Sequence, residues 1–237
     1  MKRVILCFIS LFLVSASYPR ELIKSSIDAS YVISFAEGNG SGVAFYRDES
    51  KGITFVMTND HVCQLSRGLT LYKEISKKPL NTFTPTLVNK DGVRFQAKVL
   101  YTSDSRKDVS RPDLCIIGTK NTIPTTTLGV QMSSGSKVYS VGGPQGFFPF
   151  VDEGYFIDHY KNTEVNTDAY TLKAYFGSSG SGVFDYDTGK IVGIIFAMIT
   201  YDDESIKAPF ITYAVPLTEI RSFIKEFCDK NKLKWTI

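Results

Sequence analysis

Residues 177–182 read Gly-Ser-Ser-Gly-Ser-Gly and run directly into the apolar Val183-Phe184. A serine between small residues on a tight turn exposes both its hydroxyl group and the neighbouring backbone N–H groups. A nucleophile for acyl transfer needs that combination, because the N–H groups can form an oxyanion hole beside it. The same composition is also typical of a hairpin loop, so this stretch alone leaves a catalytic and a structural role open.

A serine hydroxyl needs a base to become nucleophilic at neutral pH, and the usual base is a histidine. The chain contains two histidines. His61 follows a predicted strand over residues 53–58, where the strand gives way to a turn, whereas His159 falls in or near a strand. Because functional side chains favour loops held by rigid elements, we predict that His61 is the base and that His159 is structural.

The base in turn needs a carboxylate that fixes its tautomer, held near the end of a strand and partly shielded from water. Asp113 opens the apolar run Leu114-Cys115-Ile116-Ile117, which would anchor it. Asp108 and Asp104 lie in the polar loop before this run and remain alternatives. We therefore predict Asp113 as the orienting acid.

The order of these three residues along the chain discriminates between classes of serine enzyme. The α/β-hydrolases place the histidine after the nucleophile, and no histidine follows Ser179. Subtilisin-type enzymes place the acid before the histidine, and no aspartate before His61 lies in a supporting context. The order His61, Asp113, Ser179 is that of the trypsin-like enzymes with two β-barrels.

Several stretches in the same order resemble the trypsin-like serine proteases, and specifically their bacterial HtrA-type branch. Gly40-Ser41-Gly42 resembles a G-S-G-F motif, and Thr58-Asn59-Asp60-His61-Val62 a T-N-x-H-V motif. Asp113-Leu114 resembles the start of D-L-A-V-L, and residues 177–181 resemble G-N-S-G-G/S. Two further segments agree with the family, residues 135–146 and Tyr213-Ala214-Val215-Pro216, so that the resemblance spans residues 31–216.

The resemblance implies roles for particular residues. It implies a catalytic triad of His61, Asp113 and Ser179, and an oxyanion hole formed by the backbone N–H groups of Gly177 and Ser179. It also implies a polypeptide substrate and no cofactor. The residues expected to line the substrate pocket are Lys173, Ile195, Phe196 and Met198. The apolar members favour a medium hydrophobic residue before the scissile bond, while Lys173 either favours acidic side chains or points into solvent.

Short β-favouring runs separated by turn residues fill the chain from residue 31 to 215, with no helices between them. This pattern indicates an all-β sandwich or barrel. The predicted strands are 31–35, 42–46, 53–58, 93–102, 114–118, 137–141, 170–176, 191–199 and 210–215. After Pro216 the apolar residues recur at helical spacing, which predicts an amphipathic C-terminal helix. With the resemblance, the expected fold is two six-stranded antiparallel β-barrels followed by that helix.

The chain divides into four predicted segments. Residues 1–17 form a signal peptide, because Lys2-Arg3 precede 11 residues that are apolar apart from one serine, followed by the small residues Ser15-Ala16-Ser17. Such a run covers only about half of a ~30 Å hydrocarbon core, so we predict cleavage and export to the periplasm or the medium, with no membrane anchor thereafter. Residues 18–125 form the N-terminal barrel, 126–216 the C-terminal barrel, and 217–237 the helix and tail. No appended peptide-binding domain is expected.

Composition and charge limit the classes of partner. The 237 residues carry a formal charge of +3, which falls to +1 once Lys2 and Arg3 are removed, and no basic run predicts nucleic-acid binding. The two histidines are 98 positions apart without ligand-spaced partners, so no metal site is predicted. The oligomeric state stays open.

The mature chain would keep three cysteines, Cys63, Cys115 and Cys228, and an odd number leaves at least one thiol unpaired within the chain. Cys115 and Cys228 also fit as buried small apolar side chains, and a bridge between Cys63 and Cys115 remains open.

Two other functions fit part of the sequence. A catalytically inactive trypsin-like homologue could act as a protein-binding module, since the fold does not fix the function. A secreted β-sandwich adhesin with a coincidental Gly/Ser loop is the other. The presence of all three triad residue types and the order of the motifs favour the enzyme over both.

Overall fold

The computed structural model describes residues 19–35, 38–64, 84–105, 108, 110–161, 165–198 and 211–233. The predicted signal peptide at residues 1–17 lies outside these ranges and stays a prediction. Among the helices that are described, none has both the length and the apolar character needed to cross a bilayer.

The first half of the chain forms one antiparallel sheet. Its strands are β1 (Ser30–Phe35), β2 (Gly38–Asp48), β3 (Ile53–Thr58), β4 (Thr86–Val88), β5 (Arg94–Gln96), β6 (Lys98–Thr102) and β7 (Cys115–Thr119), in the spatial order β5-β4-β1-β2-β3-β7-β6. Strands β5 and β6 lie at opposite ends of this order although only Ala97 separates them in sequence. One continuous segment, residues 94–102, therefore links the two edges of the sheet.

The segment 94–102 is divided into two strands, β5 and β6, which raises the number of strands in the first sheet above the predicted six. We predicted a single strand over residues 93–102 and a six-stranded barrel, whereas the structure has seven hydrogen-bonded strands. At Ala97 the backbone N–H donates to the carbonyl of Pro85 (3.1 Å), and the pairing changes from β4 to β7 on either side of it. The change of pairing partner at Ala97 is the physical reason for the extra strand.

The second half forms a closed six-stranded barrel, as expected. Its strands are β8 (Lys137–Gly142), β9 (Phe150–Lys161), β10 (Asn166–Tyr170), β11 (Gly182–Asp185), β12 (Ile191–Met198) and β13 (Thr212–Pro216), arranged β10-β13-β12-β11-β8-β9. Together with the first sheet and a C-terminal helix, this confirms the trypsin-like two-barrel fold.

Three strands of the closed barrel, β9, β10 and β11, differ from the sequence prediction, which contains no strand over Gly182–Asp185. Strand β9 is absent from the predicted strands, although His159 was placed in or near one. Most of its side chains are exposed or half-buried, and its longest apolar run is Tyr155-Phe156-Ile157. The predicted strand 170–176 is wrong beyond Tyr170, where the chain leaves the sheet. In that loop Leu172 and Ala174 alternate with exposed residues, which gives a strand-like pattern without strand pairing.

Helices at both ends of the described chain pack on the barrels. Helix α1 (19–28) was not predicted, and its Ser26 hydroxyl lies 2.8 Å from the Tyr139 hydroxyl of the second barrel. A short helix, α2 (60–64), follows β3. Helix α3 (Leu217–Asn231) begins directly after Pro216, as predicted. Its buried residues share one apolar core with both barrels, including Met57 and Leu114 from the first and Val141 and Ile194 from the second.

Candidate active site

His61 and Asp113 are joined by two hydrogen bonds. The Nδ1 atom of His61 lies 2.5 Å from Asp113 Oδ2, and the backbone N–H of His61 donates to Asp113 Oδ1 (2.9 Å). Asn59 adds a third contact, since its side-chain amide donates to the backbone carbonyl of Asp113 (2.8 Å). A carboxylate on Nδ1 favours the tautomer with the proton there, which leaves Nε2 as the basic nitrogen.

A disulfide joins the segments that carry this pair. Cys63 is bonded to Cys115. Cys63 lies in α2 and Cys115 begins β7, so the bond connects the helix of His61 to the strand that follows Asp113. The sequence left this pairing open, and the structure shows it. Cys228 is a free, buried thiol.

Asp60 connects the loop before Asp113 to the helix of His61 through hydrogen bonds. Its carboxyl group is fully buried, and Oδ2 accepts hydrogen bonds from the backbone N–H of Ser105 (2.8 Å), the Ser105 hydroxyl (2.9 Å) and the Gln64 amide (2.7 Å). Our sequence analysis did not assign Asp60 a role. The signal that could have found it is its charge, since a carboxylate directly before the predicted base needs partners if it is buried.

The alternative acids have other partners. Asp108 Oδ1 accepts the backbone N–H (3.0 Å) and the hydroxyl (2.5 Å) of Ser110, and these bonds lower the pKa of the Asp108 carboxyl. Asp104 Oδ1 accepts a long hydrogen bond from the Thr102 hydroxyl (3.5 Å). Of the three candidate acids, Asp113 is the one that the structure places against the imidazole of His61.

The Gly/Ser loop at residues 177–182 rests on the first barrel. The backbone N–H of Ser41 donates to the carbonyl of Ser179 (2.7 Å). Gly180 has a φ of +88°, and a Cβ atom there would lie 1.9 Å from the Ser41 carbonyl oxygen and 2.3 Å from the Thr58 hydroxyl. Only glycine satisfies both the backbone conformation and the available space.

Gly40 shows how near Ser179 lies to the segment of His61. A Cβ atom on Gly40 would be 2.7 Å from the side chain of Val62 and 3.3 Å from the carbonyl oxygen of Ser179. The residue after His61 and the predicted nucleophile therefore both contact one glycine. Within the described chain, the Ser179 hydroxyl and the His61 imidazole share no hydrogen bond, as is common for such a pair without substrate.

The backbone N–H groups of Gly177 and Ser179 are available for a ligand. Neither donates a hydrogen bond to any other residue that the structure describes. Gly177 has a φ of +93°, which favours glycine. Two N–H donors on either side of Ser178, one of them that of the serine itself, are the kind of groups that stabilise an oxyanion.

The predicted substrate-binding residues have different environments. Lys173 is exposed, with Nζ 3.8 Å from Asp152 Oδ1, while its backbone N–H donates to Asp152 Oδ2 (2.7 Å). Ile195 is buried and bonded to the Gly/Ser loop, because its carbonyl accepts from Gly180 (2.8 Å) and its N–H donates to Ser181 (2.9 Å).

The other two predicted pocket residues continue along β12. Met198 packs against the core of the second barrel. Phe196 lines a surface cavity of about 470 Å³, whose other lining residues are Tyr160, Lys161, Thr167 and Tyr213. Three of the five lining residues are aromatic, and the lining includes none of residues 177–182.

His159 belongs to a polar network that runs from the surface of the second barrel to the buried residues Asp168 and Tyr170. It lies in β9 opposite Asp168 of β10, and its Nδ1 atom is hydrogen bonded to the Asp168 carboxyl. Nε2 lies 2.6 Å from the Gln131 amide nitrogen, and the Tyr170 hydroxyl donates to the second Asp168 oxygen (3.3 Å). Burial raises the pKa of Asp168, against the opposing effect of His159.

Comparisons with known proteins identify the family and the fold of the chain. A family model described as a trypsin-like peptidase domain matches residues 40–194, which include His61, Asp113 and Ser179. No curated protein matches the chain in sequence.

Two solved structures illustrate the similarity in fold. An inactive form of Rv3671c from M. tuberculosis H37Rv is 14% identical, with a TM-score of 0.65 over 88% of this chain and 90% of the other. A structure of the HtrA-type protease AlgW with a tripeptide is 16% identical, with a TM-score of 0.69 over 90% of this chain and 64% of that one. At these identities the likeness concerns the fold.

Proposed function

Because the chain belongs to the trypsin-like peptidase family and is a serine endopeptidase, we propose that it cleaves peptide bonds through a triad of His61, Asp113 and Ser179. The observation that carries the proposal is the orientation of His61. Its Nδ1 atom and its backbone N–H both contact the Asp113 carboxylate, which directs Nε2 away from the acid. A general base held in one tautomer by a carboxylate is what activation of a serine requires.

In the first half of the reaction, Ser179 Oγ attacks the carbonyl carbon of the scissile peptide and transfers its proton to His61 Nε2. The oxyanion is stabilised by the N–H groups of Gly177 and Ser179. Collapse of the tetrahedral intermediate breaks the C–N bond, and the imidazolium returns the proton to the leaving amine. The acyl group remains on Ser179 as an ester.

Hydrolysis of this ester repeats the steps with water. His61 accepts a proton from the water as its oxygen attacks the ester carbon, and then protonates Ser179 Oγ as the C–O bond breaks. Asp113 keeps the imidazole oriented and stabilises its positive charge throughout. The products are a carboxylic acid and the regenerated serine.

Polypeptides are the proposed substrates, and an exported enzyme is the proposed setting. Support for the substrate class comes from the match to the trypsin-like peptidase family and from the AlgW structure, which contains a tripeptide. Support for export comes from the signal-peptide pattern at residues 1–17 and from the Cys63–Cys115 disulfide, since such bonds persist in oxidising compartments.

Labelling with a fluorophosphonate probe tests the proposed nucleophile. The probe forms a covalent bond with an activated serine, and mass spectrometry of the digested adduct locates it. We expect one adduct, on Ser179, and none in a folded Ser179→Ala variant or a folded His61→Ala variant. A folded wild-type protein that takes up no label would support the inactive homologue that binds proteins, and an adduct on another serine would refute the assignment.

A further inference from the structure

We propose that Ser41 and the backbone of Gln145 are positioning groups that hold the oxyanion hole open. Both lie outside the triad, Ser41 in β2 of the first barrel and Gln145 in the turn that follows β8 of the second. The inference rests on the proposed function, because it concerns how the N–H groups of Gly177 and Ser179 come to face a substrate.

The first contact fixes the peptide group that contains the Gly177 N–H. The carbonyl oxygen of this peptide belongs to Phe176, and it accepts a hydrogen bond from the backbone N–H of Gln145 (2.9 Å). The C=O and N–H of a trans peptide point in opposite directions. A carbonyl directed at Gln145 therefore keeps the Gly177 N–H on the opposite side. A half-turn of this peptide would break the bond and place a carbonyl oxygen where the donor now lies.

The second contact fixes the peptide group between the two donors, through a side chain of the other barrel. The N–H of this group belongs to Ser178 and donates to the carbonyl of Tyr175 (2.9 Å). The Ser41 hydroxyl donates to the carbonyl of Gly177 (2.8 Å) and accepts the backbone N–H of Gly143 (2.9 Å). Ser41 is fully buried, and its own N–H donates to the carbonyl of Ser179. The carbonyls of Phe176, Gly177 and Ser179 are thus all occupied, while the N–H groups of Gly177 and Ser179 donate to nothing in the described part of the chain.

Gln145 makes this contact from an uncommon backbone conformation. Its φ of 51° and ψ of 21° lie in the left-handed region, which few residues other than glycine adopt. The turn is closed by bonds from Gly146 to Gly143 (3.1 Å) and from Phe147 to Pro144 (2.8 Å). The turn packs directly on the loop, since a Cβ atom on Gly177 would lie 2.8 Å from the Gln145 nitrogen.

Kinetics of fluorophosphonate labelling test the role of Ser41. Complete loss of an oxyanion donor costs about 100- to 1000-fold in rate, so a misaligned donor in Ser41→Ala should lower the maximal labelling rate about tenfold or more. The probe concentration that gives half the maximal labelling rate should change little, because the oxyanion hole stabilises the tetrahedral adduct and not the unreacted probe. Ser30→Ala is the matched control. It also removes a buried serine hydroxyl with one hydrogen bond, to the Ser26 carbonyl (2.7 Å), and should label at the wild-type rate.

A pair of substitutions at Gln145 tests the backbone contact independently. The Gln145 side chain is exposed, so both variants should fold. Glycine adopts the left-handed region freely, whereas a β-branched residue there is a steric outlier. We expect Gln145→Gly to label at about the wild-type rate and Gln145→Val to label several-fold more slowly. This pair decides the question should Ser41→Ala fail to fold.

The two proposals fail in different ways. If folded Ser41→Ala is labelled at Ser179 as fast as the wild-type protein, the positioning role is overturned while the triad stands. The same holds for Gln145→Val where Ser41→Ala does not fold. If the maximal rate falls equally in Ser41→Ala and Ser30→Ala, the effect is general destabilisation and the positioning role is also overturned. A folded wild-type protein that does not label at Ser179 overturns the proposed function and the inference together.

Discussion

Cys63 is bonded to Cys115, and each half-cystine lies two residues after one member of the proposed acid–base pair, His61 or Asp113. The bond closes a loop with a sequence separation of 52 residues. It therefore both limits the freedom of the unfolded chain and holds the helix of His61 against the start of β7.

The double variant Cys63→Ala/Cys115→Ala should be less stable and less active. Loss of a disulfide that closes a loop of this length is expected to cost about 2–4 kcal/mol of unfolding free energy. Urea unfolding gives the stability, and hydrolysis of fluorescently quenched casein gives the activity. Cys228→Ala, which removes the free thiol and leaves the disulfide intact, is the control. A double variant as stable as Cys228→Ala would show that the bond contributes nothing to the fold.

Asp113→Asn should nearly abolish turnover while the protein stays folded. An amide in place of the carboxylate favours the wrong imidazole tautomer, and in trypsin-like enzymes this substitution lowers kcat about 10,000-fold. Casein hydrolysis with circular dichroism as the folding check gives the comparison. Asp108→Asn alters the nearby alternative acid and should keep activity within about twofold, since a surface change away from a site has little effect. The reverse pattern would transfer the role from Asp113 to Asp108.

Gly180→Ala should cost much more stability and activity than Gly135→Ala. Both glycines have positive φ, +88° and +85°, so an alanine at either position meets similar backbone strain of about 1–2 kcal/mol. The difference is space, because a Cβ on Gly135 meets nothing within 4 Å whereas one on Gly180 would overlap the Ser41 carbonyl. The unfolding free energies and the probe-labelling rates of the two variants separate the effect of the contact with Ser41 from that of backbone strain. Equal losses would mean that the Gly/Ser loop does not dock on Ser41 as described.

Glu226 of helix α3 should make stability depend on pH. Hydrogen bonds from Tyr101 (2.5 Å), Lys230 (2.9 Å) and Arg111 (2.6 Å) lower the pKa of Glu226 from its usual 4.5 to about 2. Because the folded protein holds this proton less tightly than the unfolded chain, its contribution to stability is complete above pH 4.5 and is lost as the pH falls toward 2.

Chemical unfolding of Glu226→Gln at several pH values measures this effect. We expect the variant to be less stable than the wild-type protein at pH 7, and the difference to shrink steadily below pH 4.5. Glu49→Gln removes an exposed carboxylate paired with Arg47 and should show little difference at any pH. A Glu226→Gln difference that stays constant from pH 7 to pH 3 would contradict the assigned cause.

The parts of the fold that sequence analysis predicted are those with a local signal. The apolar runs that became β1, β3 and β7 were recognised because buried strands are apolar, and α3 because its period changes after a proline. Strand β9 gives only a short signal near His159, because most of its side chains are exposed or half-buried and Asp152, Glu153 and Asp158 interrupt its apolar residues. The change of pairing partner at Ala97 gives no local signal in the sequence.

The same distinction applies to the site. His61, Asp113 and Ser179 could be proposed because each carries its own chemistry in a short motif. The role of Ser41 could not, although its G-S-G motif was noted, because the partners of its hydroxyl are Gly143 and Gly177, more than 100 residues away. The left-handed conformation of Gln145 was equally hidden, since glutamine carries no local preference for it.

The most direct test of the account is a crystal structure of the protein treated with a peptide boronic acid. We predict a covalent bond from the boron atom to Ser179 Oγ, a boronate oxygen within hydrogen-bonding distance of the Gly177 and Ser179 N–H groups, and His61 Nε2 beside the adduct. An inhibitor bound to another residue, or an imidazole at position 61 too distant to reach the adduct, would contradict it.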